Sequence, residues 1–129
     1  MKSKYKLIGV IVLLFLLSSL SGCKLGYDDF MTDYDATATE MIRIVNENPT
    51  KEGTDKALDY LHKSQPRLKE KMQRGVESAG KSGDAEPTRL AYGRLMSNIS
   101  ARFEELQKKY PALNKDIEYL RTQTLLINR

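Results

Sequence analysis

Apolar residues recur every three or four positions through almost all of residues 27–127, and this spacing decides what the chain can fold into. Tyr27, Phe30, Tyr34, Ala38, Met41 and Val45 step by 3, 4, 4, 3 and 4. Steps of that kind mark one face of a helix, because a strand would alternate with a period of two. Leu58, Leu61, Gln65, Leu68, Met72 and Val76 form a second stripe. Thr88, Tyr92, Leu95, Ile99, Phe103, Leu106 and Tyr110 form a third, and Leu113, Ile117, Leu120, Thr124 and Ile127 a fourth. No segment alternates in strand fashion, and no Asn-Gly or Asp-Gly hairpin turn is present.

The breaks between stripes are also legible. Asn46-Glu47-Asn48-Pro49 ends the first pattern, since proline disfavours helix for the residue before it. Thr54, after Gly53, is the expected N-cap of the second helix. Pro66 falls inside that helix and predicts a kink near residues 62–65. Residues 78–87, with Gly80, Gly83 and Pro87, read as the longest loop. Pro111 predicts a break after Tyr110. Four amphipathic helices with short connections bury their stripes only against one another. The expected fold is therefore all-α, a small up-down four-helix bundle. Three helices, with the fourth segment merged into the third, is the alternative.

Composition narrows the functional classes. A single Cys and a single His exclude an internal disulfide framework and a Cys/His zinc site. The net charge of +4 suggests nucleic acid until its distribution is examined. Lys2, Lys4 and Lys6 supply most of it, and beyond residue 22 there are 18 basic against 17 acidic residues. A nearly neutral body is not expected to bind nucleic acid.

Those three lysines open a distinct segment. An apolar run of eleven residues follows, Leu7 to Leu17, and then Ser18, Ser19 and Leu20-Ser21-Gly22-Cys23. A positive start, a short apolar centre and small residues before a break describe a secretory signal peptide. A membrane-spanning anchor would need about 20 apolar residues. Only fourteen positions run from Leu7 to Leu20, two of them Ser.

Leu20-Ser21-Gly22-Cys23 resembles the bacterial lipobox at all four positions. The resemblance implies that Leu20, Ser21 and Gly22 are read by the signal peptidase. It further implies cleavage before Cys23, a diacylglyceryl group on its thiol and usually an N-acyl chain on the new amino terminus. No other cofactor is expected. Two or three acyl chains anchor a protein stably where one does so only marginally. Asp directly after the lipidated Cys retains such proteins in the inner membrane of enteric-type bacteria. Lys24 stands there instead, so the same resemblance implies the outer membrane, facing the periplasm, or the cell membrane where there is only one. The expected organisation is a leader at 1–22, a lipidated tether at 23–28 and a helical domain at 29–129.

That tether spans at most roughly 18 Å, so the domain lies close to the bilayer. Its first helix is acidic: residues 24–48 hold Asp28, Asp29, Asp33, Asp35, Glu40 and Glu47 against Lys24 and Arg43. Anionic headgroups attract basic residues, so this charge predicts a body that stands off the lipid.

Candidates for chemistry are few. His62 has no partner that the sequence identifies and reads as a surface residue. Asp28, Asp29, Asp33 and Asp35 lack the spacing of a calcium loop and read as a solvated first turn that complements the helix dipole. Arg67, Lys69, Lys71 and Arg74 read as a solvated basic face. There are no Glu-x-x-His pairs for a di-iron site, no phosphate loop and no Gly-x-Ser-x-Gly elbow. No metal or catalytic residue is expected. Apolar residues off the buried stripes remain. Tyr60, about 160° from its stripe at about 100° per residue, joins Leu90, Tyr119 and Leu126 as a candidate partner-binding patch.

The expected function is a non-enzymatic protein-binding or assembly module, lipid-anchored in a bacterial envelope, with an envelope protein as partner. The alternatives are a pilotin-like secretion accessory and a carrier of a small apolar ligand or metal inside the bundle.

Overall fold

The computed structural model describes residues 26–82 and 85–127. Helix α1, Gly26–Glu47, buries Phe30, Tyr34, Ala38, Met41 and Val45, the stripe that the spacing marks out. Tyr27 and Asp28, assigned to the tether from sequence, already belong to its first turn. The chain leaves through Asn48, whose N–H donates to the Ile44 carbonyl, and reverses over three residues.

Helix α2, Lys51–Ser82, begins earlier than expected. Its cap is Thr50, whose hydroxyl accepts the Gly53 N–H at 3.3 Å, three residues on as an N-cap requires. Thr54 instead sits inside the helix and donates back to the Lys51 carbonyl. Gly53 is required by this reversal, because a Cβ there would lie 1.7 Å from the Asn48 carbonyl oxygen. Pro66 is contained within α2, which runs on without a break. Pro66 is exposed, so the carbonyl it leaves without a donor one turn back lies on the solvent side.

The loop expected over 78–87 is largely helix. α2 continues to Ser82, and α3, Ala85–Lys109, starts three residues later. A glycine costs a helix only about 1 kcal/mol, too little to stop one at Gly80. Pro87 falls in the first turn of α3, where its missing N–H is not needed. Pro111 opens a short 3₁₀ turn, Pro111–Leu113, and α4, Asn114–Leu125, follows.

Cross-helix contacts give the directions. Arg67 of α2 meets Asp33 and Gly75 meets Tyr27, so α2 runs antiparallel to α1. Tyr92 meets Tyr27 while Lys109 meets Asn46, so α3 runs parallel to α1. Gln107 bonds the Asn114 carbonyl and Glu118, and Arg121 bonds Ser100, so α4 returns antiparallel to α3. The chain is thus an up-down four-helix bundle whose fourth helix is short. Leu61, Leu68, Ile99, Phe103, Leu106, Ile117 and Leu120 join the α1 stripe in one core. Each such fully buried side chain contributes about 1.5–3 kcal/mol.

The buried hydroxyls of Thr37, Ser64 and Thr124 donate to carbonyls four residues back. Tyr34 fastens α1 to the far end of α4, donating its hydroxyl to the Thr124 carbonyl. That carbonyl belongs to the last turn of α4, and among the described residues no backbone N–H outside the regular helix ladder donates to it. Among the described residues no helix is long and apolar enough to cross a membrane.

Candidate functional site

Leu20, Ser21, Gly22 and Cys23, together with the leader at 1–22, lie outside the described residues. The first described element nevertheless constrains them. Three residue steps separate Cys23 from Gly26, a reach of at most about 11 Å.

The charged residues near that end fasten helices together. Asp33 receives Arg67 through two bonds, Nε at 2.7 Å and Nη2 at 3.1 Å, and Lys71 Nζ at 3.1 Å. Lys71 also reaches Asp29 at 3.4 Å. Burial alone would raise the Asp33 carboxyl, but the hydrogen bonds from Arg67 and Lys71 outweigh it and hold its pKa below the ordinary value. Arg67 is held charged chiefly by Asp33. On the other side of α1, Arg102 donates to Asp35 at 2.7 Å and to Thr39. Arg43 is paired with Glu40 and Glu47.

The acidic first turn is therefore more than a solvated feature, and the basic run is more than a solvated face. Arg67 and Lys71 close an α1–α2 seam, whereas Arg74 pairs with Glu70 on its own helix. Asp29, Asp33 and Asp35 of the acidic helix are thus matched by basic residues of α2 and α3. Helix-local spacing reveals none of this, because the partners are 34 to 67 residues apart.

The four candidate patch residues do not converge. Tyr60 is half-buried and packs against the core. Leu90 and Tyr119 are each 53% exposed, and Leu126 is 37% exposed. Tyr119 sits level with residues 100–107 of α3, given the Arg121–Ser100 and Glu118–Gln107 bonds. Roughly 20 Å along the helix axis separates it from Leu90.

What the short α4 leaves open is the outer face of α3. One open hollow there is lined by Arg89, Leu90, Tyr92, Gly93, Arg94 and Ser97. A second, where α3 meets the end of α4, is lined by Met96, Ser97, Ser100, Ala101, Glu104 and Leu125. Beneath the first lies an aromatic cluster. Tyr27 and Phe30 stand edge to face with centroids 5.5 Å apart, and Tyr92 stacks on Phe30 at 6.2 Å. The buried Tyr92 hydroxyl has no hydrogen-bond partner among the described residues. Burial, and after it the nearby Tyr27, pushes its pKa up to about 12.

The sequence reading missed Val76. At 58% exposure it is the most exposed large apolar side chain among the described residues, although its spacing places it on the buried stripe. Its neighbour Gly75 explains why: a Cβ there would lie 2.7 Å from the Tyr27 Cα, so α1 and α2 touch backbone to side chain at the first turn of α1. Past that point α2 has no described α1 residue to cover it.

His62 is exposed. Among the described residues no three His, Cys, Asp or Glu side chains are grouped to hold a metal. Compared with family models, curated proteins and solved structures, the chain matches none.

Proposed function

We propose that this chain is a lipid-anchored bacterial envelope protein, acylated on Cys23, whose four-helix body acts as a non-enzymatic binding or assembly module. The agreement of Leu20-Ser21-Gly22-Cys23 with the lipobox, at the end of an apolar segment opened by three lysines, carries the reading. Asp33, Asp35, Arg67 and Arg102 hold helices to one another. A body of this kind offers surface rather than reactive groups. The outer face of α3, with Leu90 and the two hollows, is the part offered to an envelope protein partner. The outer membrane, facing the periplasm, is the proposed location in a two-membraned cell.

Metabolic labelling with an alkyne-bearing palmitate, followed by crosslinking and recovery of the protein from its native envelope, tests this. The label is expected on the protein and absent from Cys23→Ala, which should leave the membrane fraction. A defined crosslinked protein is expected that Leu90→Ser weakens. Absence of label from the native protein refutes the anchor. A labelled protein recovered alone, or carrying a bound small molecule, refutes the binding module and favours a carrier.

A further inference from the structure

Three hollows follow one another along the outer face of α3. Leu90, Ser97 and Glu104 mark its line, because residues seven apart point within about 20° of one another on a helix. Leu90, Gly93, Arg94, Ser97, Ala101 and Glu104 are all exposed there. A Cβ on Gly93 would meet nothing within 4 Å. Charge is divided along this face. Residues 87–103 hold Arg89, Arg94 and Arg102 and no acid, whereas Glu104 and Glu105 follow directly. Arg102 is taken by Asp35. Arg94 forms no ion pair among the described residues, and Arg121, which feels the Glu104 charge, pairs with Glu118.

We infer that a second copy of this chain docks antiparallel along the outer face of α3. The pairing rests on the anchored binding module proposed above, with the chain itself as the partner. A two-fold axis level with residue 99 brings Arg94 opposite the partner's Glu104 and the partner's Glu105. Each such contact occurs twice, because a two-fold interface is self-complementary. A parallel arrangement would set Arg94 against the partner's Arg94 and Glu104 against the partner's Glu104, like charge on like. Charge therefore selects the antiparallel one. Ser97 comes opposite the partner's Ala101, where short side chains let the two helices approach. Leu90 comes level with the partner's Lys108, beside the hollow that Gln107, Lys108 and Pro111 line. A leucine that is 53% exposed in one copy is thereby covered at each end of the pair.

From Leu90 to Lys108 the contact is about 27 Å long and one helix, about 10 Å, wide. So narrow a strip is small for a stable interface between free molecules, and two copies meet on it where one leaflet concentrates them. The two-fold axis relating two copies in one leaflet runs along the membrane normal, so α3 lies along the surface in the pair.

The test uses the full acylated chain in its native envelope, where acylation of Cys23 consumes the only native thiol. Two differently tagged copies are produced together, one with Ser97→Cys and the other with Ala101→Cys, and oxidised with copper-phenanthroline. A disulfide joining the two tags is expected, at least roughly fivefold above copies that both carry Tyr119→Cys, an exposed position on α4. Leu90→Cys in both copies should give none, since the two lie roughly 27 Å apart. Arg94→Glu should lower the yield at least roughly fivefold, and Glu104→Arg with Glu105→Arg in the same chain should restore it. A loss that those changes do not restore, or crosslinking through Leu90→Cys, overturns the antiparallel pair. A yield no higher than the Tyr119→Cys control, from protein whose mass shows acylated Cys23, overturns this pairing alone and leaves the face to a different envelope protein. An unmodified Cys23 overturns the anchor and the shared leaflet together.

Discussion

Two tyrosines in this bundle make opposite predictions for the same chemical change. Tyr34 and Tyr92 both pack against Phe30, so both keep their ring contacts when the hydroxyl is removed. The Tyr34 hydroxyl donates to the Thr124 carbonyl, an acceptor in the last turn of α4, and Thr124 is 1% exposed. Tyr34→Phe takes from that buried acceptor the one donor it has among the described residues, at a cost of about 1–3 kcal/mol. The Tyr92 hydroxyl has no hydrogen-bond partner among the described residues, and Tyr92→Phe removes it without breaking a described bond. It should be neutral or stabilise by up to about 1 kcal/mol. In a domain of about 100 residues each kcal/mol moves Tm by about 4–8 °C, so a 2 kcal/mol loss lowers it by roughly 8–16 °C. Urea and thermal unfolding of the body without its leader, with Cys23→Ser, measure both. Equal effects of the two substitutions would refute the assignment of Thr124 as a carbonyl capped from another helix. So would a Tyr34→Phe loss below about 0.5 kcal/mol.

The glycines give a second contrast. Gly93→Ala adds a methyl with nothing within 4 Å and should stabilise α3 by up to about 1 kcal/mol, whereas Gly75→Ala meets the Tyr27 backbone at 2.7 Å and should destabilise by about 1–3 kcal/mol in the same unfolding assay. The Asp33 seam gives a pH dependence. Its folded pKa lies below the unfolded carboxylate value. The stability it contributes is therefore present above about pH 4 and lost as pH falls through the lower folded value. Asp33→Asn should cost about 1–2 kcal/mol at pH 7, and the gap from the unsubstituted protein should narrow progressively as pH is lowered below about 4. A gap that does not narrow at all on acidification would contradict the ion-pair account.

Periodicity was enough for the fold because the chain has few ways to hide four apolar stripes. The α1, α3 and α4 stripes face inward, and Pro111 turns the chain where expected. What periodicity lacks is any knowledge of neighbours. Val76 continues a flawless stripe, yet it lies past Gly75, which meets Tyr27 in the first described turn of α1, and it is exposed. Tyr60 lies off its stripe and is nevertheless half-buried against the core. Thr54 and Thr50 are equally good caps by composition, and only the reversal at Asn48 selects Thr50. Gly80 and Pro87 looked like a loop because each disfavours helix interiors. One is affordable within a long helix and the other falls in a first turn. For the proposed surface, Leu90 is legible in the sequence as an apolar residue off its stripe, whereas the open hollow beside it depends on how little of α3 the short α4 covers.

The intact mass of the protein purified from its own cells tests the account most directly. The account predicts a chain that begins at Cys23 and carries the added mass of a diacylglyceryl group, with or without an N-acyl chain. A chain that still begins at Met1, or begins elsewhere with a free Cys23 thiol, would contradict it.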